Sequence, residues 1–312
     1  MHSPRFFSSV RNLSNISWKP TGKLQQTLAS EISRSGTALH SAASSTANLF
    51  PAMAGEGRFF VCGGDRRSRI PASIDCVMEA TLCTTLGRGD GGEKIRTVEH
   101  LLSALEAAGV DNCGIEIVGG DEVPLLDGSA REWVEAIENA GLCVAKDYNG
   151  NTMDKLAPFL DEPMHVWRND SFVAAFPSPK VQITYGIDFP QVPAIGRQWF
   201  SCFPMDESAY TKEIASARTF GIYEEVEKLR KAGLIQGGSM ENATVCSAKS
   251  GWLNPPLRFQ DEPCRHKVLD LIGDLSIFAR NGSQGLPVAH IIAYKAGHSL
   301  HAEFVRRLSG SH

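Results

Sequence analysis

No apolar run in this sequence approaches the ~20 residues that a membrane-spanning helix needs. There is no C-x-x-C pair. The eight cysteines are scattered at 62, 76, 83, 113, 143, 202, 246 and 264, which fits reduced thiols in a cytosolic or organellar-matrix setting, not a disulfide scaffold. The H-E-x-x-H signature of zinc peptidases is also missing. Positive charge is not in excess: the formal net charge is -4, which argues against a nucleic-acid binder held by phosphate contacts. Acidic residues are absent from one place, the stretch before Glu31, where Arg5, Arg11, Lys19 and Lys23 stand among many serines. Phe6, Phe7, Val10 and Leu13 could share one face of a short helix there. That is the composition of an organellar leader over residues 1–22, mitochondrial in preference to chloroplast. What remains is enough for two domains of ordinary size.

Two stretches carry chemistry. Arg258 to Leu275, RFQDEPCRHKVLDLIGDL, reads as one helix, with Val268, Leu271, Ile272 and Leu275 on an apolar stripe. At roughly 100° per residue, His266 and Asp270 fall nearly opposite that stripe. Being four apart they lie one above the other, so an imidazole and a carboxylate can hold one divalent ion. A helical His-x-x-x-Asp pair is more often a solvated face. The second stretch, Arg96 to Gly109, RTVEHLLSALEAAG, changes that weighting. Val98, Leu101, Leu102 and Leu105 make its stripe, and Glu99 and His100 lie off it in the first turn. Two histidines and one aspartate make a three-ligand site, and a nearby free glutamate can act as general base.

TVEHLLSAL, then PLLDGSA at 124–130, SARTFG at 216–221, GGSMENATV at 237–245, RHKVLDLIGDL and AYKAGHSL at 293–300 occur in the order seen in one family. The chain closely resembles the zinc-dependent UDP-3-O-acyl-N-acetylglucosamine deacetylases, over roughly residues 24 to 308. The resemblance implies an α+β fold of two domains of similar topology. Each is a sheet packed on helices, with the helices sandwiched between the two sheets. The domains are expected over 23–147 and 153–312, with the turn-rich stretch from Lys146 to Leu156 between them.

It further implies zinc at the domain junction, held by His100, His266 and Asp270, with Glu99 as base. Thr219 would contact the tetrahedral intermediate. His298 would stand near the zinc with Asp274 as its carboxylate partner. Lys267 would meet the substrate's diphosphate, and Phe189 and Phe220 would help place the substrate. The implied reaction releases acetate from a UDP-3-O-acyl-N-acetylglucosamine, the committed step of lipid A biosynthesis, and the enzyme is expected to be a monomer. Asp127 is given a supporting role, Cys83 is read as a small buried hydrophobe, and His40 as structural. Ala42 stands where the family usually has glycine, which leaves that turn open. His165, His290, His301 and His312 receive no role. The rival readings are a zinc amidase for other amides, a non-catalytic nucleotide-sugar or lipid-binding module, and a structural metal domain.

Overall fold

The computed structural model describes residues 15–63, 68–89, 92–254, 256–280 and 283–310. The part of the expected leader before Asn15 lies outside these residues. Six helices are present among the described residues: α1 Glu99–Ala107, α2 Arg131–Ala140, α3 Glu207–Glu213, α4 Tyr223–Lys231, α5 Glu262–Leu275 and α6 His298–Ser309. The helix that carries His266 and Asp270 is shorter than its periodicity suggests. It begins at Glu262, where Pro263 suits the first turn, because the missing N–H of proline is unpaired there anyway.

Two five-stranded sheets follow the same plan. In the first, Ile32–Thr37 pairs antiparallel with Ser44–Pro51, which pairs antiparallel with Cys113–Val118. That central strand runs parallel to Arg58–Cys62, and Arg69–Pro71 closes the far edge antiparallel. The second repeats each step with Met164–Arg168, Ser171–Pro177, Ala289–Tyr294, Gln182–Phe189 and Gly196–Cys202. In both halves the strand entering the centre last is preceded by a long buried helix, α1 or α5, and followed by a second, α2 or α6. The expected repeat is therefore present as topology.

The helices fill the space between the sheets. The Arg58 guanidinium, on the first sheet, is 2.7 Å from the Glu106 carboxylate on α1. On the other side, the Cys264 thiol of α5 lies 3.2 Å from the Tyr185 carbonyl oxygen of the second sheet. Between them α1 and α5 meet directly. The Ser103 hydroxyl donates to the Leu269 carbonyl at 2.8 Å, and a Cβ on Gly273 would stand 2.0 Å from the Glu99 carbonyl oxygen. Burial follows on every face: Leu101, Leu102 and Leu105 are buried, and so are Glu99, His100, His266 and Asp270 opposite them. Both halves contribute to one contiguous core.

Two local readings meet the structure. Residues 16–22, assigned to the leader, lie in a strand, Ile16–Leu24, that pairs antiparallel with Asp154–Leu160. The turn at Ala42 forms without glycine, with Ala42 in the left-handed region at φ 59°.

Gly273 generates a test. Any side chain there must push α5 away from the Glu99 backbone, and overpacking of this kind costs about 1–3 kcal/mol. Gly273→Ala should lower stability by that amount in urea unfolding. It should also separate His100 from His266 and Asp270, which a lowered affinity for added zinc would report.

Candidate metal and proton-transfer centre

Five side chains meet where the helices cross. His100 comes from the first turn of α1, His266 and Asp270 from successive turns of α5, and Glu99 and His298 flank them. The Asp270 Oδ1 atom is 3.5 Å from His100 Nε2 and 3.3 Å from His266 Nε2. The two imidazoles stand edge to face with centroids 4.9 Å apart. Ligand arms of about 2.1 Å in a tetrahedral site put neighbouring ligand atoms roughly 3.4 Å apart, so the spacing suits a single ion. Asp270 Oδ1 is buried with no hydrogen-bond partner among the described residues. An unpaired carboxylate oxygen between two imidazole nitrogens is the donor set of a cation site.

The tautomer of His266 is fixed by its other nitrogen. Nδ1 lies 3.0 Å from the Ala217 carbonyl, which can only accept, so Nδ1 carries the hydrogen and the Nε2 lone pair faces Asp270. Burial lowers the His266 pKa to about 4 against the pull of Asp270, which keeps the ring neutral and ready to ligate. The second Asp270 oxygen accepts from the Lys267 ammonium at 2.6 Å. The Lys267 charge thus has a partner inside the protein.

The neighbouring groups handle protons. Glu99 is held by the Thr84 N–H at 3.0 Å. Burial raises its pKa, only partly offset by His298 and His100. His298 Nε2 lies 3.8 Å from Glu99 Oε1, and its Nδ1 lies 2.7 Å from Asp274 Oδ2. Burial alone would depress the imidazolium, but Asp274, Glu99 and Asp270 outweigh it and raise the His298 pKa to about 9. One face of the site therefore carries a buried carboxylate of raised basicity, and the other a protonated imidazole.

The remaining expected residues are placed as follows. Asp274 meets His298. Phe189 and Phe220 meet each other edge to face at 5.6 Å. Thr219 is half-buried, two residues from Ala217, and its N–H donates to Gly128 O at 2.7 Å. Cys83 is buried, which pushes its thiol up to about 12. His301 was missed. Its Nδ1 also lies 2.7 Å from Asp274 Oδ2, and its Nε2 is 3.2 Å from the Tyr185 hydroxyl. The signal was its i+3 spacing from His298 on α6, which puts both rings on one side of the helix. Thr84 was missed as well; its hydroxyl donates to the other Asp274 oxygen at 2.5 Å. Asp274, His298 and His301 could also be grouped as metal donors. With both Nδ1 atoms at hydrogen-bond distance from one oxygen, they read instead as a proton-holding network.

Residues 25–310 match the family model described as UDP-3-O-acyl N-acetylglycosamine deacetylase. A relative from Arabidopsis thaliana, named "Probable UDP-3-O-acyl-N-acetylglucosamine deacetylase 1, mitochondrial", is 56% identical over 310 residues, covering 97% of this chain and 93% of its own. A relative from Trichormus variabilis, named UDP-3-O-acyl-N-acetylglucosamine deacetylase, is 48% identical over 288 residues, 91% of this chain and 98% of its own. Another of the same name, from Thermosynechococcus vestitus, is 47% identical over 286 residues, 91% and 94% respectively.

His301 is fully buried and donates to a carboxylate. A hydrogen bond to a charged group is worth about 1.5–3 kcal/mol. His301→Phe should lower unfolding stability by about that amount, measured by denaturant titration.

Proposed function

The chain belongs to the UDP-3-O-acyl N-acetylglycosamine deacetylase family, and from that we propose zinc-dependent hydrolysis of the N-acetyl group of a UDP-3-O-acyl-N-acetylglucosamine. The products are acetate and the free amine, at the committed step of lipid A biosynthesis. The observation that carries the reading is the unpaired Asp270 oxygen between two imidazole Nε2 atoms, flanked by Glu99 and His298. His100, His266 and Asp270 would hold the ion, and a His₂Asp set leaves a position open, as catalytic zinc requires. Bound there, a divalent ion supplies a Lewis acid that polarises the acetamide carbonyl and acidifies water.

The chain's own groups complete the reaction. Glu99, buried and raised in basicity, takes the proton of the attacking water. Oxygen adds to the carbonyl carbon, and Thr219 and the His298 imidazolium stabilise the oxyanion that forms. His298 then delivers its Nε2 proton to the nitrogen, the C–N bond breaks, and acetate leaves. Asp274 holds His298 protonated and aimed, as a carboxylate behind an imidazole does. Phe189 and Phe220, ring to ring, form an apolar wall for the substrate. Lys267, whose ammonium donates to Asp270 Oδ2 at 2.6 Å beside the site, would meet the anionic diphosphate. Ligands and proton carriers all come from one chain, so a monomer would carry a complete site. The enzyme is mitochondrial, like the named Arabidopsis relatives, with its leader ahead of the strand that begins at Ile16.

Acetate release from UDP-3-O-(3-hydroxyacyl)-N-acetylglucosamine, measured after chelation and after zinc is restored, tests substrate and metal together. Zinc-restored release is expected. No release from folded, zinc-loaded protein would point to another amide or to a binding module. Glu99→Ala should keep stoichiometric zinc while turnover falls by about 10²–10⁴-fold, the range for a lost general base. Loss of zinc in parallel with activity would remove Glu99 from the base role.

The pH profile should be bell-shaped. Rate falls on the acid side as Glu99 protonates, at a pKa above the ordinary carboxylate value. It falls on the alkaline side as His298 loses the proton that the metal-free protein holds to about pH 9. A bound cation opposes that proton, so the limb in the loaded enzyme should lie below 9. His298→Gln should abolish the alkaline limb; a limb that persists unchanged would assign it to another group.

A further inference from the structure

One peptide unit behind the ligand His266 is gripped from both ends by α5. Its C=O, that of Ala217, receives the His266 Nδ1–H at 3.0 Å. Its N–H, that of Arg218, donates to Glu262 Oε1 at 3.0 Å. Glu262 and His266 are four residues apart, one turn along the same helix face. A trans peptide is planar with its N–H and C=O pointing in opposite directions, so holding the N–H aims the C=O.

Glu262 is fully buried, and all of its hydrogen bonds serve this unit and its surroundings. Besides the Arg218 N–H it accepts from Arg218 Nε at 2.8 Å and Nη2 at 3.1 Å, and from the Arg258 N–H at 2.7 Å. Arg258 in turn reaches the Ser216 carbonyl at 2.8 Å and Asp127 at 2.8 Å. The segment 216–218 is therefore fixed on both sides of the peptide that meets the imidazole, and the PLLDGSA loop is joined to the same network through Asp127.

We propose that Glu262 is a positioning residue for the metal centre, acting through the Ala217–Arg218 peptide on His266. A carboxylate on the N–H polarises the peptide and makes its carbonyl a stronger acceptor, because hydrogen bonds in a chain reinforce one another. A stronger acceptor at Nδ1 makes Nε2 a better donor to a cation and locks the ring's orientation. The device is a carboxylate–histidine–metal triad with a peptide inserted between carboxylate and histidine. The inference rests on His266 being a metal ligand, as argued above.

Zinc dissociation constants, read by competition with a chromophoric chelator, test it in the full chain. Outer partners of ligating histidines set metal affinity by about 10–100-fold. Glu262→Gln should weaken zinc binding by about tenfold or more, and Arg218→Lys, which keeps the charge but loses the fork, should weaken it in the same direction. Glu106→Gln serves as the reference, since it breaks another ion pair, that of buried Arg58 with half-buried Glu106, away from the metal. It should lower the melting temperature and leave the zinc constant unchanged. An unaltered zinc constant in the Glu262 and Arg218 variants, with zinc lost from His266→Ala, would overturn the proposal while leaving the ligand set intact. Stoichiometric zinc retained by His266→Ala would overturn the ligand assignment and this inference with it. If Glu262→Gln fails to fold, the Arg218→Lys constant decides.

Discussion

The approach of α1 to α5, with Gly273 against the Glu99 carbonyl, fixes the distance across which the buried polar groups of these two helices face one another. His100 and Glu99 ride on one helix, His266, Asp270 and Asp274 on the other. A side chain at 273 would part them, and ligand distances tolerate little: a metal arm varies by only about 0.2 Å. The two helices hold equivalent places in two halves built on one plan, so the site lies where the repeated units face each other. Neither half alone carries the ligand set. The sheets behind them act as rigid backing, and the connections leaving the site, with PLLDGSA and SARTFG, supply the groups that orient it.

Close packing has an electrostatic cost that the site itself answers. Glu99, Asp270 and Asp274 are buried, each with a carboxylate oxygen within 3.9 Å of a His298 ring nitrogen, and His298 and Lys267 oppose them with charge. Asp274 is the best satisfied, accepting from His298, His301 and Thr84, and the two histidines, His298 foremost, hold its carboxyl well below the usual carboxylate range against the effect of burial. Asp270 is satisfied on one oxygen only. A buried acceptor left without a partner costs about 1–3 kcal/mol, a cost that a cation at the same point removes. Ion binding there would be coupled to folding.

Much of this was legible in the sequence, for a definable reason. Helical spacing put His266 beside Asp270, and ordered motifs brought His100 and His298 to them; such local rules survive folding. Asp274 was legible as the residue one turn beyond Asp270. What escaped depends on contacts between segments far apart in the chain. Thr84 reaches Asp274 across 190 residues, and Glu262 reaches the Arg218 peptide across 44. His301 had the spacing but no motif around it. Burial on both faces of α5 was also hidden, because an amphipathic pattern cannot reveal a second packed helix on its polar side. Ala42 shows the converse: the missing glycine suggested a changed turn, but the surrounding hairpin imposes the left-handed conformation at a cost of about 1–2 kcal/mol.

The N-terminal stretch shows how composition can carry two meanings at once. Basic, serine-rich and acid-free sequence suits a leader, yet Ile16–Leu24 is a strand along Asp154–Leu160, with Ile16 buried and Trp18 stacked on Phe278 at 5.4 Å. Lysine is common on edge strands because it discourages further pairing, and import sequences need cations for a different purpose, so charge alone cannot separate the two. The register separates them: Ile16 opposes Leu160, and Pro20 opposes Leu156. This strand lies before residue 25, where the family match begins. It therefore covers an edge of Asp154–Leu160, in a two-stranded sheet, with residues from outside the matched region. Removing residues 1–22 would expose that edge and leave Phe278 without its aromatic partner, so the folded unit begins upstream of the point that composition alone suggests.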